Sequence, residues 1–217
     1  MKGFFITGTD TGSGKTYFTK ALAELMLKNN MHVNLLKPVE SGCKKSNGNL
    51  IPQDATIYSS VIGKDIKEIC KFRFSKPSSP NWAALSSNTD LDLKEIINFT
   101  KQKITKNSDK INIIEGCGGF LSPIAKNSLN ADFAKLLGLP IILIINDKLG
   151  CINHTLLTIK AINDYGLKLK CLVLNQIEVN KDIDTMSELS IFTDAPRYKM
   201  LPQDNLDNSF IEFLKNA

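Results

Sequence analysis

The chain has 217 residues, of which 42% are hydrophobic and 23% are charged, a composition that excludes a disordered or fibrous protein. Lysine and arginine outnumber aspartate and glutamate by 27 to 22, which gives a formal net charge of +5. The basic residues form no long run, and the sequence has no zinc-finger, homeodomain or RNP-type motif, so no nucleic-acid partner is expected.

The cysteines and the apolar runs indicate where the protein resides. The five cysteines include no Cys-x-x-Cys pair, which argues against both a disulfide framework and a zinc site. The apolar run near the N-terminus is too short for a signal peptide, and runs such as 139–145 fall well short of the roughly 18 residues of a membrane helix. We expect a single domain, residues 1–217, in the cytoplasm and without membrane contact.

The hydrophobic pattern predicts an alternation of strands and helices. Short continuous apolar runs bounded by Gly, Pro or Asn predict buried parallel strands at 4–7, 32–36, 111–114, 141–145 and 171–174. Amphipathic stretches predict helices at 16–28, 52–61, 91–104, 130–137, 152–165 and 206–214. This order is typical of a doubly wound α/β fold, a mostly parallel sheet with helices on both faces that binds ligands at the carboxyl ends of its strands. The Ser- and Pro-rich stretch 75–80 is interpreted as a surface loop rather than a linker.

A glycine-rich segment, GTDTGSGKT at 8–16, joins the first predicted strand to the first predicted helix. In this context backbone N–H groups can surround phosphates. The spacing differs from the usual motif, because the first glycine is Gly8 and the usual glycine position is Thr9. Gly14, Lys15 and Thr16 still supply a close backbone, an ammonium for the β- and γ-phosphates and a hydroxyl for Mg²⁺. The segment therefore predicts a P-loop NTPase-like nucleotide site.

Polar residues follow two further predicted strands. Lys37 after the second strand could neutralise a transferring phosphoryl group, although a lone lysine there is more often on the surface. Glu115 follows the third strand, where nucleotide hydrolases place a Mg²⁺-holding carboxylate. Asp54 is either a second metal carboxylate or a helix N-cap, and the sequence does not decide between them. Cys117 has no basic neighbour and is interpreted as a structural thiol.

Four segments together resemble the dethiobiotin synthetase family. They are GTDT-GSGKT at 8–16, KPVESG at 37–42, EGCGG at 115–119 and KLGCINH at 148–154, in the family's order and spacing. The resemblance implies an ATP- and CO₂-dependent ring closure that converts 7,8-diaminononanoate to dethiobiotin with release of ADP and phosphate. It implies a carbamate and then a carbamic–phosphoric mixed anhydride as intermediates.

The resemblance also implies roles for particular residues. The implied nucleotide contacts are Gly12, Ser13, Gly14, Lys15, Thr16, Tyr17, Asp54, Glu115, Gly116, Cys117, Gly118, Asn175 and Gln176. The implied Mg²⁺ ligands are Thr16, Asp54 and Glu115. The implied substrate contacts are Thr11, Lys37, Ser41, Leu149, Gly150, Cys151 and Asn153, of which the last four reach the substrate of the neighbouring subunit in a homodimer. Lys37, Lys15 and Thr11 are the implied catalytic residues. Without the resemblance, we would interpret residues 149–153 as a capped helix start and His154 as a packed residue.

The main alternative is a partner-regulated P-loop ATPase of the kind that positions plasmids or division sites. Such proteins usually carry an additional lysine early in the loop, and residues 9–13 contain none. An amidoligase is not expected, because 217 residues leave no room for a glutaminase domain beside a sheet of this size.

Three departures from the family pattern stand out. Gly12 replaces a common glutamate, Cys117 replaces an alanine, and RYKMLP at 197–202 replaces a Gly-x-Ile-Pro segment that helps to hold adenine. Asn175 matches the family's base-reading asparagine, so some purine contact is expected to remain.

We predict from the altered 197–202 segment that the protein discriminates weakly between purine nucleotides. Turnover with GTP should be comparable to turnover with ATP, because fewer groups specific to adenine remain. Steady-state phosphate release in the presence of the diamine, with each nucleotide in turn, measures this preference. A strong preference for ATP would contradict the prediction.

Overall fold

The computed structural model describes residues 2–176, 184–201 and 206–217. Its strands are β1 (Gly3–Gly8), β2 (Val33–Leu36), β3 (Val39–Glu40), β4 (Lys44–Ser46), β5 (Asn49–Ile51), β6 (Phe72–Arg73), β7 (Ile111–Gly119), β8 (Pro123–Ala125), β9 (Ser128–Leu129), β10 (Ile141–Asn146), β11 (Leu169–Asn175) and β12 (Arg197–Met200). Its helices are α1 (Lys15–Lys28), α2 (Gln53–Ile62), α3 (Ile66–Ile69), α4 (Pro80–Leu85), α5 (Leu93–Thr105), α6 (Asn130–Leu137), α7 (Cys151–Asp164), α8 (Thr185–Phe192) and α9 (Asn208–Asn216). None of the helices in the described ranges is long and apolar enough to cross a membrane.

The central sheet has six strands in the order β12-β11-β10-β1-β7-β2, and neighbouring strands pair in parallel. The strand β1 lies between β10 and β7, with Phe5 opposite Ile141 on one side and Ile114 on the other. The strands β7 and β2 lie on one side of β1, and β10, β11 and β12, which follow them in the chain, lie on the other. The carboxyl end of β1 is therefore the place where the strand order reverses and where ligands bind in such sheets.

Two apolar clusters cover the two faces of this sheet, because successive side chains of a strand point to opposite faces. In β10, Ile141, Leu143 and Ile145 join the cluster that contains residues of α5, α6 and α7. Ile142 and Ile144 join the cluster that contains residues of α1, α2 and α9. Both faces are thus covered by helices, which explains why the strands are apolar along their whole length.

The predicted doubly wound sheet is confirmed, and all five predicted strands overlap strands of the central sheet. The third one, β7, is longer than predicted: residues 115–119, interpreted as the segment after the strand, continue it. Glu115 is therefore a residue of β7 itself. A carboxylate within a strand whose backbone is hydrogen-bonded has a more fixed position than one on a loop.

The structure corrects the prediction in three other places. The sixth strand, β12, was missed because Arg197–Met200 alternates cationic and apolar residues at the edge of the sheet instead of forming an apolar run. Residues 197–201 of the 197–202 segment are described, and position 202 lies outside the described residues. The loop prediction for 75–80 is wrong at its end, where Ser79 caps α4. The last helix, α9, begins two residues later than the predicted 206–214, because Asp207 caps it by accepting a hydrogen bond from the backbone N–H of Ser209.

Candidate active site

The glycine-rich segment joins β1 to α1 at the carboxyl edge of the sheet. Gly12 and Gly14 have φ angles of 76° and 90°, the left-handed region that glycine adopts without strain. A Cβ at Gly14 would also collide with the side-chain amide of Asn175. Gly14 is the N-cap of α1 and supplies no side-chain cap, so the first-turn amides of α1 are available to an anion.

Lys15 is buried beneath this loop rather than solvated, with only 7% of the residue exposed. Its ammonium donates a hydrogen bond to the carbonyl of Asp10 at 3.2 Å. Burial lowers the pKa of Lys15, and the positive charge of Lys37 lowers it further. The backbone of the loop therefore holds the ammonium at the site where phosphates are expected.

Lys37 forms the centre of the charged cluster, and the surface alternative for this residue is wrong. Its ammonium lies 2.5 Å from Oε1 of Glu115 and 3.1 Å from Oδ2 of Asp54, and it donates to the carbonyl of Gly116 at 2.9 Å. Burial by itself would lower the pKa of Lys37, but the negative charges of Glu115 and Asp54 outweigh burial and raise that pKa well above its usual value. Lys37 therefore stays charged.

Asp54 pairs with Lys37 and is not the N-cap of its helix. It is the second residue of α2, whose N-cap is Pro52. The carboxylate of Glu40 caps this helix from a distance by accepting hydrogen bonds from the backbone N–H groups of Asp54 at 3.0 Å and Ala55 at 3.1 Å. Although desolvation acts to raise the pKa of Asp54, the charge and hydrogen bond of Lys37 prevail and lower it.

The oxygen atoms of Thr16, Asp54 and Glu115 lie around this cluster. The Thr16 hydroxyl donates to Oε1 of Glu115 at 3.3 Å, and both carboxylates contact the ammonium of Lys37. Among the described residues, no group of three His, Cys, Asp or Glu side chains could hold a metal ion by itself. Two carboxylates and a hydroxyl fit Mg²⁺, which usually binds through one or two protein carboxylates together with substrate phosphates.

Most of the residues implied by the resemblance line one cavity of about 450 Å³. Its lining residues are Thr11, Gly12, Gly14, Lys15, Thr16, Tyr17, Lys37, Glu40, Ser41, Asp54, Glu115, Cys117 and Gly118. A second cavity of about 400 Å³ shares Thr11, Ser41, Cys117 and Gly118 with it and extends to Pro80. The shared residues show that the two cavities adjoin each other.

The remaining nucleotide candidates support the phosphate loop and the neighbouring strand ends. Asn175 donates from its side-chain amide to the carbonyl of Ser13 at 3.0 Å. Gln176 donates to the carboxylate of Asp147 at 2.9 Å. Cys117 is buried, burial raises the pKa of its thiol to about 11, and its sulfur lies 2.9 Å from the carbonyl oxygen of Val39. These features agree with the interpretation of Cys117 as a structural thiol.

The segment 148–154 is not brought into either cavity. Helix α7 begins at Cys151, which is buried, and Gly150 is its N-cap with a φ of 88°. Leu149 is 88% exposed, and Asn153 is exposed as well. His154 is exposed and lines a separate cavity with Thr9, so its interpretation as a packed residue is wrong.

Sequence reasoning missed three residues that hold the site in place. Glu40 caps α2, and Tyr58 in the same helix donates from its hydroxyl to Oε2 of Glu115. Asn130 donates to the carbonyls of Cys117 and Gly119, which fixes the glycine-rich end of β7. Tyr58 had a detectable signal, because it follows Asp54 by four residues and so shares its helix face. The sequence offers no such signal for Glu40 and Asn130.

Comparisons with known proteins identify relatives over most of the chain. A family model described as an AAA domain matches residues 2–206. The ATP-dependent dethiobiotin synthetase of Ruthia magnifica subsp. Calyptogena magnifica is 40% identical over 182 residues, which are 83% of this chain and 82% of that protein. The enzyme of the same name from Legionella pneumophila (strain Paris) is 33% identical and covers 86% of this chain and 88% of its own.

Solved structures share the fold at low identity. A ParA family ATPase from Chlorobium tepidum TLS aligns with a TM-score of 0.57 and 15% identity over 100% of this chain and 90% of its own. The septum site-determining protein MinD of Pyrococcus horikoshii OT3, complexed with Mg-ADP, aligns with a TM-score of 0.52 and 17% identity over 100% of this chain and 86% of its own. At such identities these similarities show the fold alone, which is that of P-loop NTPases.

We predict that Glu40→Ala destabilises the protein by about 1–2 kcal/mol, because the two first-turn amides of α2 lose their acceptor. Glu40→Gln should lose less, since its carbonyl oxygen still accepts one hydrogen bond. The free energy of unfolding from urea titration measures both effects. Glu212→Ala is the matched control, because the Glu212 side chain is 74% exposed and its substitution should change stability by less than about 0.5 kcal/mol. Equal stability of Glu40→Ala and the control would contradict the capping role.

Proposed function

Because the chain belongs to the dethiobiotin synthetase family, we propose that it closes the ureido ring of dethiobiotin from 7,8-diaminononanoate, CO₂ and ATP, with release of ADP and phosphate. It is an ATP-dependent ligase. The observation that carries the proposed reaction is the position of Lys37, a buried cation that lines the same cavity as the P-loop residues and contacts Glu115. We assign the reaction to one domain, residues 1–217, in the cytoplasm, and the free cysteines fit a reducing compartment.

The nucleotide end of the site is formed by the phosphate loop and the start of α1. The amides of residues 12–16 and the ammonium of Lys15 bind the phosphates of ATP. The side-chain amide of Asn175 donates to the carbonyl of Ser13, which helps to hold the loop in shape. Preorganised donors need no rearrangement as charge develops on the phosphates.

Thr16, Asp54 and Glu115 would hold Mg²⁺. When bound, the ion neutralises negative charge on the phosphates of the nucleotide. These residues lie on three separate elements, α1, α2 and β7. Thr16 hydrogen-bonds Glu115, and Asp54 and Glu115 both contact Lys37.

Lys37 acts on the reacting groups. A substrate amine takes up CO₂ as a carbamate, a carbamate oxygen attacks the γ-phosphorus of ATP, and ADP leaves. The second amine then attacks the carbonyl carbon of the mixed anhydride, phosphate leaves and the ring closes. The Lys37 ammonium stabilises the carbamate and the developing phosphoryl charge, so the protein contributes position and charge rather than a nucleophile.

The second cavity, next to the nucleotide volume, is the place for the diamine. Thr11 and Ser41 line both cavities, and we assign them to the carbamate or amine groups. The Ser41 hydroxyl donates to the carbonyl of Ser78 at 2.6 Å, which leaves its oxygen free to accept from an amine. The diamine and ATP then lie in adjoining cavities, as direct transfer of the phosphoryl group from ATP to the carbamate requires.

A homodimer would complete the substrate site. Leu149 is 88% exposed, and Leu157 on α7 and Leu121 beside it are 60% and 51% exposed. Large apolar side chains exposed together are typical of protein–protein contacts. We propose that this face meets a second copy and that Leu149, Gly150 and Asn153 reach the diamine of the neighbouring subunit, whereas the side chain of Cys151 is buried within its own subunit.

The test of the reaction is a direct search for its product. Purified protein is mixed with 7,8-diaminononanoate, bicarbonate and Mg-ATP, and dethiobiotin is measured by mass spectrometry alongside phosphate release. Dethiobiotin that depends on all three substrates supports the proposal. If phosphate release does not depend on the diamine and no dethiobiotin forms, the result would instead favour the alternative, a partner-regulated P-loop ATPase.

We predict that Lys37→Ala lowers kcat by about 100-fold or more while ATP-analogue affinity changes little, because its charge acts mainly as the phosphoryl group transfers. Turnover and equilibrium binding of a non-hydrolysable ATP analogue are measured on the same preparation. Lys126→Ala is the control, since Lys126 forms an exposed ion pair with Asp90 at 3.0 Å. Wild-type turnover in Lys37→Ala would remove Lys37 from the mechanism.

We predict that Leu149→Asp shifts the protein from dimer to monomer and lowers its activity, because a charge would be buried at the proposed contact. Analytical ultracentrifugation measures the mass of wild type and variant at the same concentration. Leu27→Asp serves as control, because Leu27 is 37% exposed on α1, which packs on the opposite face of the sheet. A monomeric wild-type protein would refute the dimer.

A further inference from the structure

The carboxylate of Glu115 is held by different partners at its two oxygens. Oε1 contacts the ammonium of Lys37 at 2.5 Å and accepts from the hydroxyl of Thr16 at 3.3 Å. Oε2 accepts a hydrogen bond from the hydroxyl of Tyr58. Glu115 is 1% exposed and Tyr58 is fully buried. One oxygen therefore faces the Lys37 ammonium and the Thr16 hydroxyl, and the other faces a neutral donor in the core.

The position of the Tyr58 hydroxyl is fixed by the helix that carries it. Tyr58 is part of the apolar cluster on the α1, α2 and α9 face of the sheet. It follows Asp54 by four residues in α2, so both side chains project from the same side of the helix. Glu40 holds the first turn of α2 through two backbone amides. The helix thus presents a metal carboxylate and a phenol hydroxyl to the same region of β7.

We propose that Tyr58 is a positioning residue that orients Glu115 so that a single oxygen, Oε1, is presented to the metal and to Lys37. This inference rests on the proposed function, in which Glu115 is a Mg²⁺ ligand. Mg²⁺ requires near-ideal octahedral geometry, and single-oxygen coordination by a carboxylate suits that geometry better than coordination by both oxygens. Hydrogen bonds to the remaining atoms of a metal ligand hold it in orientation.

Removal of the Tyr58 hydroxyl would leave Oε2 of Glu115 buried without that donor. The carboxylate could then rotate to direct both oxygens towards Lys37 and the metal. Metal-dependent nucleotide binding would weaken, because the ligand would no longer be preorganised. Nucleotide binding without metal depends on the phosphate loop and on Lys15, which Tyr58 does not contact in the hydrogen bonds described above.

The test compares wild type with Tyr58→Phe, which removes one oxygen atom and keeps the ring. The affinity for a fluorescent non-hydrolysable ATP analogue is measured by titration with excess EDTA and again across a range of Mg²⁺ concentrations. The expected result is a loss of about tenfold or more in apparent Mg²⁺ affinity, the range found for residues that orient metal ligands. Affinity for the analogue in EDTA should be unchanged.

Tyr165→Phe is the matched control, because it removes the same atom from a tyrosine that packs against Phe120 and lines neither of the two site cavities. It should leave both affinities at the wild-type value. Unchanged Mg²⁺ affinity in Tyr58→Phe would overturn the inference. Equal losses with and without Mg²⁺ would also overturn it, since they would indicate a merely structural role.

The two proposals fail in different ways in this experiment. Wild-type protein that binds the analogue equally with and without Mg²⁺ would overturn the metal site, and the positioning role with it. Wild-type protein that responds to Mg²⁺ but forms no dethiobiotin would refute the proposed reaction, while the comparison of Tyr58→Phe with wild type still decides the role of Tyr58.

Discussion

The buried ammonium of Lys37 is the charge around which the site is organised. An isolated charge in a protein interior is strongly unfavourable, and pairing with hydrogen-bonded opposite charges offsets that cost. Lys37 meets this requirement with Glu115, Asp54 and the carbonyl of Gly116. These groups come from β7 and α2, so the charge can be buried only when both elements are in place. A local electrostatic requirement thereby fixes the relative position of a strand and a helix.

The same requirement explains the residues that support the site without facing solvent. Asp54 can reach Lys37 only if the first turn of α2 is held, and the Glu40 carboxylate holds it through two amides. Glu40 is itself buried, and burial together with the nearby charge of Asp54 raises its pKa. On the other side, Asn130 holds the end of β7 through backbone groups of residues 117 and 119. The backbone around the ion cluster is therefore constrained from both sides.

The sequence alone predicts those elements whose pattern lies within one short stretch of residues. Strands buried on both faces are continuous apolar runs, and the phosphate loop carries its glycines in order, so β1, β10 and Lys15 could be predicted. The edge strand β12 could not, because its residues alternate in polarity and its pairing with β11 is a contact between distant parts of the chain. The role of Asp54 was undecided for the same reason: the choice between cap and ligand depends on Glu40, 14 residues earlier in the chain. The assignment of the 149–153 segment to a neighbouring subunit came from family resemblance alone.

The charges of the site also fit the proposed binding of a divalent cation. Lys15 and Lys37 supply two positive charges, and Glu115 and Asp54 already engage Lys37 at hydrogen-bonding distance. A triphosphate brings several further negative charges next to these carboxylates, and Lys15 and the partial charge of the α1 N-terminus are the remaining positive groups of the phosphate loop. A cation that binds Asp54 and Glu115 would take over the neutralisation of those carboxylates, so that Lys37 is free to interact with the carbamate and the phosphoryl group. In this arrangement the ion pairs that stabilise Lys37 are the same contacts that a bound nucleotide and metal would rearrange, and the orientation of Glu115 would determine how readily they do so.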